Sequence, residues 1–271
     1  MSTRNELCAI ALFSVVLLVA IPISEGYNVA GSILNTKVSP GENFDFTMNV
    51  SLTENETPID ISAELFGLGQ HLDQSNSHLT ADEDSPYSAR PFLSVSPTSF
   101  HLDPGQWQIV TLMGSVPEDI GDGGRYAVVY IHPDIKDTKG SGVRVIKAYD
   151  IPVILTISDT ELVMTGEITG LDVNEPVSAS QQNISLVYKN TGNYHYKAQA
   201  KADLKDESGI VLATALTDLS GDSILPTFSK EYKFKVNPDN ELEPGTYYIE
   251  ATVTLEDGSI LATKEVSFEV E

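Results

Sequence analysis

Short stretches of alternating apolar and polar residues constrain the fold of this chain more than any other feature. Along residues 44–52 every second side chain is apolar, and the same period of two returns at 194–204 and 247–255. Because successive side chains of a strand point to opposite faces, each stretch predicts a strand with one buried face. Residues 125–131 and 151–157 are more continuously apolar and predict more fully buried strands. After the N-terminal segment, no stretch predicts a helix of ordinary length.

Turn signals rich in glycine, proline, asparagine and aspartate separate these strands. They lie at 39–42, 103–105, 122–124, 190–193, 243–245 and 257–258. Short strands with frequent turns predict an all-β chain of two tandem immunoglobulin-like antiparallel β-sandwiches. The pattern places one unit at 27–158, with a polar irregular loop at 67–90, and the second unit at 159–271.

The N-terminus predicts export. Arg4 precedes an uncharged apolar run at residues 8–23. A membrane-spanning helix needs about 20 residues, so this shorter run predicts a signal peptide over 1–26, cut before Tyr27. An uncleaved anchor is the alternative. The single cysteine, Cys8, falls in this leader, so the remaining chain is predicted to fold without disulfides. The leader predicts that this remaining chain is secreted or held at the cell surface and has no integral membrane span.

Charge narrows the class of partner. The chain has 39 acidic and 16 basic residues and a formal net charge of -23. A nucleic-acid binder needs clustered lysine and arginine to displace the counterions of phosphates, so this composition argues against DNA or RNA. It also argues against electrostatic docking on an anionic membrane.

Motifs for catalysis are missing from the sequence. It contains no G-x-S-x-G elbow, no H-E-x-x-H pair and no phosphate-binding loop, which predicts that the protein is not an enzyme and has no cofactor. Zinc or another divalent ion could bind His71 and His78 near Asp73 and Asp82, although a polar loop favours solvated side chains. Calcium is a second possibility, since it binds hard carboxylate oxygens. The weak candidates are Asp82, Glu83, Asp84 and Asp122, whose spacing does not match a calcium-binding loop.

Two surface features remain open. N-glycosylation sequons occur at Asn49, Asn55 and Asn183. Asn49 lies on the polar parity of its strand, and Asn183 precedes an inward Ile184, so both side chains are expected to be accessible. Trp107 could belong to an aromatic binding patch. It shares its parity with Ile109, however, and this favours plain packing in the core.

Residues 94–125, followed by a tyrosine-led strand and a long hairpin back to Ile157, resemble the first domain of exported envelope proteins built from two immunoglobulin-like domains. One such group is the Gram-positive proteins that partner WxL surface proteins, and a weaker resemblance is to the periplasmic chaperones of pilus assembly. The second unit, with the stretches 188–193 and 242–247, resembles cell-adhesion-type immunoglobulin modules.

The resemblance implies a non-enzymatic protein for surface binding, adhesion or scaffolding, whose partner is an envelope protein or a glycan. One alternative is an assembly chaperone that donates a strand to surface or pilus subunits, and another is an accessory module of a carbohydrate-active or other secreted enzyme. The chaperones hold a subunit's carboxyl terminus with a basic residue late in the first domain. Here Asp150 and Pro152 stand in that strand, and Pro152 predicts an edge or a bulge.

Overall fold

The structure, a computed structural model, describes residues 26–31, 33–83, 85–134, 147–219 and 221–271. All but the last residue of the predicted signal peptide lie outside these ranges. Within them every regular element is a β-strand except a single 3-10 turn at Arg90–Phe92. The predicted all-β fold class is therefore confirmed. No helix in the described part of the chain has the length and apolar character to cross a bilayer.

The first unit has ten strands among its described residues. They are β1 (Asn28–Ala30), β2 (Leu34–Val38), β3 (Asn43–Ser51), β4 (Ile59–Gln70), β5 (Asn76–Leu79), β6 (Leu93–Ser96), β7 (Ser99–Leu102), β8 (Trp107–Ser115), β9 (Gly124–Pro133) and β10 (Tyr149–Ile157). One sheet has the order β1-β3-β8-β6, and the other has the order β2-β10-β9-β4-β5 with β7 also paired to β4. Every pairing is antiparallel except that of β2 with β10.

The two sheets of the first unit enclose its apolar core. Met48, Val50 and Leu52 are buried, as the alternation at 44–52 predicts. They meet the inward residues of the opposite sheet, which include Val129 and Ile131. Each sheet thus buries one parity of its strands, while the outward parity is polar on β3 but includes apolar and aromatic side chains on β8 and β9.

In the part of the second unit that the structure describes there are seven strands. They are β11 (Gly166–Asn174), β12 (Gln182–Asn190), β13 (Gln199–Lys205), β14 (Val211–Leu216), β15 (Ser229–Val236), β16 (Gly245–Thr254) and β17 (Ile260–Val270). They build sheets of the order β11-β12-β15 and β14-β13-β16-β17. Tyr196 and Ala198 are buried on the predicted parity, but the regular strand begins only at Gln199. The preceding residues instead contact the first unit, where the Gly124 N–H donates to the Asn193 carbonyl over 2.9 Å.

The segment 67–90, predicted as an irregular loop, is in part a hairpin. Strand β4 continues to Gln70 and pairs with β5. The turn of this hairpin contacts the second unit, because the Glu231 N–H donates to the Leu72 carbonyl over 2.9 Å and Gln74 Nε2 donates to the Ser229 carbonyl over 3.3 Å. The sequence did not predict this hairpin because its residues are largely polar. Polar residues suit the hairpin, because part of the surface that it contacts is the polar backbone of the other unit.

A separate apolar cluster joins the two units. Leu68, Tyr126 and Val128 of the first unit bury against Leu225 of the second. Beside this cluster the Tyr126 hydroxyl accepts the backbone N–H of His195 over 3.0 Å, and it also lies 3.0 Å from Nδ1 of the same histidine. Both apolar burial and directional hydrogen bonds therefore fix one unit against the other.

Candidate functional site

The chain crosses between the two sheets of the first unit, and among the described residues this crossing leaves one side of the start of β10 without a ladder partner. Strand β1 pairs with β3 in one sheet, whereas β2 pairs with β10 in the other. Gly31 lies at the crossing with a φ of +90°, a backbone conformation that glycine adopts readily. A Cβ at this position would lie 3.0 Å from the Thr47 carbonyl oxygen, so the crossing also needs the small residue.

The part of β10 that pairs with β9 but not with β2 is the open edge, defined as Tyr149–Pro152. Strand β9 pairs with β10 from Tyr149 onward, but β2 begins to pair with it only at Val153. On the β2 side of the open edge, the described residues therefore provide no ladder partner for its backbone groups. Pro152 is the last residue of the open edge, which agrees with the edge position predicted for it.

Inward side chains fix the open edge against the core. Ile151 is buried, and the Tyr149 hydroxyl donates to the Tyr27 carbonyl over 2.9 Å. The Tyr27 and Tyr149 rings meet edge to face with centroids 5.2 Å apart. Burial raises the pKa of the Tyr27 hydroxyl, which therefore stays protonated and donates to the Ile131 carbonyl over 2.6 Å. A rigid edge of this kind binds without an ordering cost of its own.

Outward side chains next to the open edge form the histidine clasp, defined as Phe66, His78, Tyr130 and His132 with their two carboxylates. His78 reaches from the outermost strand of the sheet to β10, where its Nε2 lies 2.8 Å from Asp150 Oδ1. Its ring stacks on Phe66 at 4.9 Å and meets Tyr130 at 4.7 Å. The clasp thereby holds the Asp150 side chain over the outer face of the sheet.

The other end of the histidine clasp repeats this arrangement. The His132 ring stacks on Tyr130 with centroids 4.6 Å apart, and its Nε2 lies 3.2 Å from Glu64 Oε1. The clasp occupies the same face of β9 as Tyr126 at the junction of the units, because both tyrosines share the outward parity of that strand. The open edge therefore borders a face that continues to the second unit.

The structure does not bring the predicted calcium candidates together. Asp82, Glu83 and Asp122 lie exposed in turns, and Asp84 lies outside the described residues. Glu83 accepts a hydrogen bond from the Thr80 hydroxyl over 3.1 Å, as is usual in a tight turn. Among the residues that the structure describes, no three acidic, histidine or cysteine side chains form a group that could hold a metal ion.

Two of the three sequon asparagines are exposed, and the third is half-buried. Asn49 projects from β3, and Asn55 lies in the turn that follows this strand. Asn183 is half-buried on β12, where its carboxamide oxygen accepts a hydrogen bond from Gln181 Nε2 over 3.0 Å. The packing prediction for Trp107 is wrong, because its side chain is 63 % exposed. It stands on the outward parity of β8, while Val110 and Leu112 take the inward one.

Comparisons with known proteins find similarity only in solved structures. No protein-family model matches the sequence, and a search of curated proteins finds no relative. A chain from a chaperone–tip adhesin complex of CFA/I fimbriae biogenesis is 12 % identical, with a TM-score of 0.45 over 90 % of this chain and 98 % of the other. The class 5 fimbriae chaperone CfaA is also 12 % identical, with a TM-score of 0.44 over 91 % and 99 %. The E. coli chaperone DraB is 13 % identical, with a TM-score of 0.40 over 91 % and 98 %.

Sequence reasoning identified Asp150 and Pro152 as unusual but missed the histidine clasp. His78 and Asp150 are 72 positions apart, and nothing in the local pattern of either residue points to the other. The outward parity of Tyr130 and His132 was the one available signal, since two rings on the solvent side of a buried strand need a partner surface. Only the sheet order shows which strands supply that surface.

Proposed function

We propose that this protein is an exported, non-enzymatic assembly chaperone, which binds a surface subunit by pairing a strand of that subunit with the open edge of β10. The observation that carries this proposal is the β2 side of Tyr149–Pro152, where the described residues provide no ladder partner. Native proteins usually cover, shorten or charge such an edge, because it pairs readily with another chain. Recognition by strand addition uses main-chain hydrogen bonds for affinity and alternate side chains for specificity.

The length of the open edge favours a transient complex over permanent adhesion. The edge spans only four residues, and Pro152 has no N–H to donate. A net contribution of about 0.5–1.5 kcal/mol for each hydrogen bond gives a modest total for the backbone alone. A partner held in this way can later be transferred to a neighbouring subunit, which a chaperone requires and an adhesin does not.

The side chains around the open edge define the partner strand. Inward-facing residues of the partner strand would lie beside Tyr149 and Ile151. At this side of the sandwich, β1 forms the edge of the opposite sheet. Apolar side chains suit these positions. The residue opposite Asp150 faces a carboxylate on a strongly acidic protein, which favours a basic or hydroxyl-bearing side chain.

Hydrogen exchange tests the proposal at single-residue resolution. The chain is tagged at its C-terminus, isolated from its own envelope fraction with any bound subunit, and compared with the free protein. Strand addition is expected to slow amide exchange between Tyr149 and Ile151. Strand β6, at the edge of the other sheet, is the internal control and should exchange equally in both samples. Unchanged exchange at the open edge, or slowing at β6 alone, would contradict the proposal.

A pair of charge variants tests the predicted character of the partner. Asp150→Lys places a cation opposite the expected basic or hydroxyl side chain, and it should lower the yield of the one-to-one complex by about five- to tenfold. Asp45→Lys makes the same change at an exposed acid on the outer face of β3 and should leave the yield unchanged. His78→Gln breaks the histidine clasp but keeps Asp150, and it separates loss of the clasp from loss of the charge. Equal yields from Asp150→Lys and Asp45→Lys would refute the assignment.

A further inference from the structure

An exposed apolar stripe lies on the outer face of the other sheet, away from the open edge. Trp107, Ile109 and Met113 lie on the outward parity of β8, with Thr111 between Ile109 and Met113, and Trp107 and Met113 are 63 % and 42 % exposed. Trp107 is the only tryptophan of the chain. Burying such a ring against another surface is favourable, so a large exposed indole on a flat sheet indicates that something covers it.

The strand register places a sequon beside this stripe. Asn49 on β3 pairs directly with Ile109, and Ser51 pairs directly with Trp107. Asn49 and Trp107 are therefore diagonal neighbours on one face, within reach of a large side chain or of a group attached to it. The Asn49 side chain is exposed, and Asn49, Val50 and Ser51 together make the sequon.

We propose that Asn49 is N-glycosylated and that the first sugars of the glycan lie on the indole of Trp107. The apolar face of a sugar ring packs on an aromatic face, and the covalent link keeps the local sugar concentration high. A glycan attached at Asn49 starts between Ala30 of β1 and Ile109 of β8, so it leaves the sheet next to the stripe.

The attachment is a transfer from a lipid-linked oligosaccharide phosphate, catalysed by the oligosaccharide transferase of the exporting cell. A bond forms between Asn49 Nδ2 and C1 of the first sugar, and the bond between C1 and the phosphate oxygen of the donor breaks. The lipid phosphate leaves, and the carboxamide nitrogen gives up one proton. No oxidant or reductant takes part.

The other two sequons lack this arrangement. Asn55 lies in a turn and has no neighbour in a strand ladder. Asn183 is half-buried, its carboxamide accepts a hydrogen bond from Gln181, and its neighbour across the sheet is Lys235. The structure therefore assigns a glycan that packs on the protein to Asn49 alone among the three.

Two measurements test the two parts of this proposal. The first is mass spectrometry of the peptide that contains Asn49, from protein isolated from its natural source, where a hexose-containing mass on Asn49 is expected. The second is acrylamide quenching of the tryptophan fluorescence, which reports only on Trp107. Because 63 % of Trp107 is exposed without a glycan, covering one ring face should lower the quenching constant about twofold.

The variants are chosen to separate loss of the glycan from a change beside the indole. Asn49→Gln and Ser51→Ala both destroy the sequon, so both should raise the quenching constant about twofold and shift the emission to longer wavelength. Ser51→Thr alters the same neighbour of Trp107 but keeps the sequon, and Thr57→Ala removes only the sequon at Asn55. Both of these should behave like the unaltered protein.

Three results would contradict the proposal or one of its parts. An unmodified Asn49 in the protein from its source overturns the proposal. A modified Asn49 with equal quenching constants for the unaltered protein and Asn49→Gln overturns the packing on Trp107. A rise with Thr57→Ala, without one for Asn49→Gln, moves the covering glycan to Asn55 and also overturns the assignment.

Discussion

Removal of the Tyr126 hydroxyl, a single oxygen atom, should weaken the contact between the two units. This hydroxyl accepts the backbone N–H of His195 over 3.0 Å and lies 3.0 Å from Nδ1 of that residue, to which it can donate. Gly124 leaves room for the hydroxyl, because a Cβ there would lie 2.0 Å from it. Tyr126→Phe removes only the oxygen, so the ring still fills the cluster formed with Leu68 and Leu225.

The expected loss follows from these two hydrogen bonds. A typical bond contributes about 0.5–1.5 kcal/mol net, so the pair contributes about 1–3 kcal/mol. Burial lowers the pKa of His195, so the ring is neutral at pH 7 and its Nδ1 has a lone pair for the tyrosine to meet. In the variant this nitrogen and the backbone N–H, both part-buried, lose this partner. We therefore expect a free-energy loss of about 2 kcal/mol.

Differential scanning calorimetry at pH 7.5 measures this loss. For a chain of this size, about 2 kcal/mol corresponds to a fall in Tm of roughly 4–8 °C. Tyr130→Phe is the matched control, because this tyrosine lies on the same face of β9 and its hydroxyl has no hydrogen bond among the described residues. It should shift Tm by less than about 1 °C, since surface changes of this kind cost little. A fall of under 1 °C for Tyr126→Phe would refute the role given to the hydroxyl.

Further changes at the junction of the units have equally definite outcomes. Gly123→Ala should lower Tm by more than Tyr126→Phe does, because Gly123 has a φ of +93° and a Cβ would lie 2.2 Å from the Asn193 carbonyl oxygen. Equal Tm values for Gly123→Ala and the unaltered protein would contradict this prediction. Leu225→Ala should cost about 2–4 kcal/mol and split the calorimetric transition in two, whereas one unshifted transition would show that the apolar cluster does not couple the units. Burial lowers the pKa of His195 below 6.5, so its contribution to stability is full above pH 6.5 and is lost as the pH falls through the folded-state pKa. The difference in Tm between the unaltered protein and His195→Gln should therefore become smaller between pH 7.5 and pH 5. A constant gap over that range would disprove the titration.

The alternation of apolar and polar residues predicted the buried face of several strands correctly. The inward parity of Met48, Val50 and Leu52 was correct, because period-two alternation reflects burial of one face, which is a property of the strand itself. The same pattern failed at residues 194–198. There the alternation continues through buried Tyr196, but the backbone of the segment contacts the first unit and is not in a regular sheet.

Trp107 shows the limit of parity. Alternation divides a strand into two faces but does not say which face is inside when both include apolar residues. On β8 the inward parity has the medium-sized Val110 and Leu112, while the larger indole stands in solvent. The pairing of β8 with β3 and β6 settles the question, because it fixes which side of the sheet faces the core.

The sequence by itself determined the all-β class, several strands with one buried face and the acidic character of the chain, because periodicity, turn residues and charge are properties of short segments. The tertiary structure decided everything that depends on which segments meet. The crossing from β1 to β2 leaves the open edge on β10, and the sheet order brings His78 to Asp150. The register of β3 with β8 sets Asn49 next to Trp107. Contacts of this kind join residues far apart in the chain, and local alternation contains no information about them.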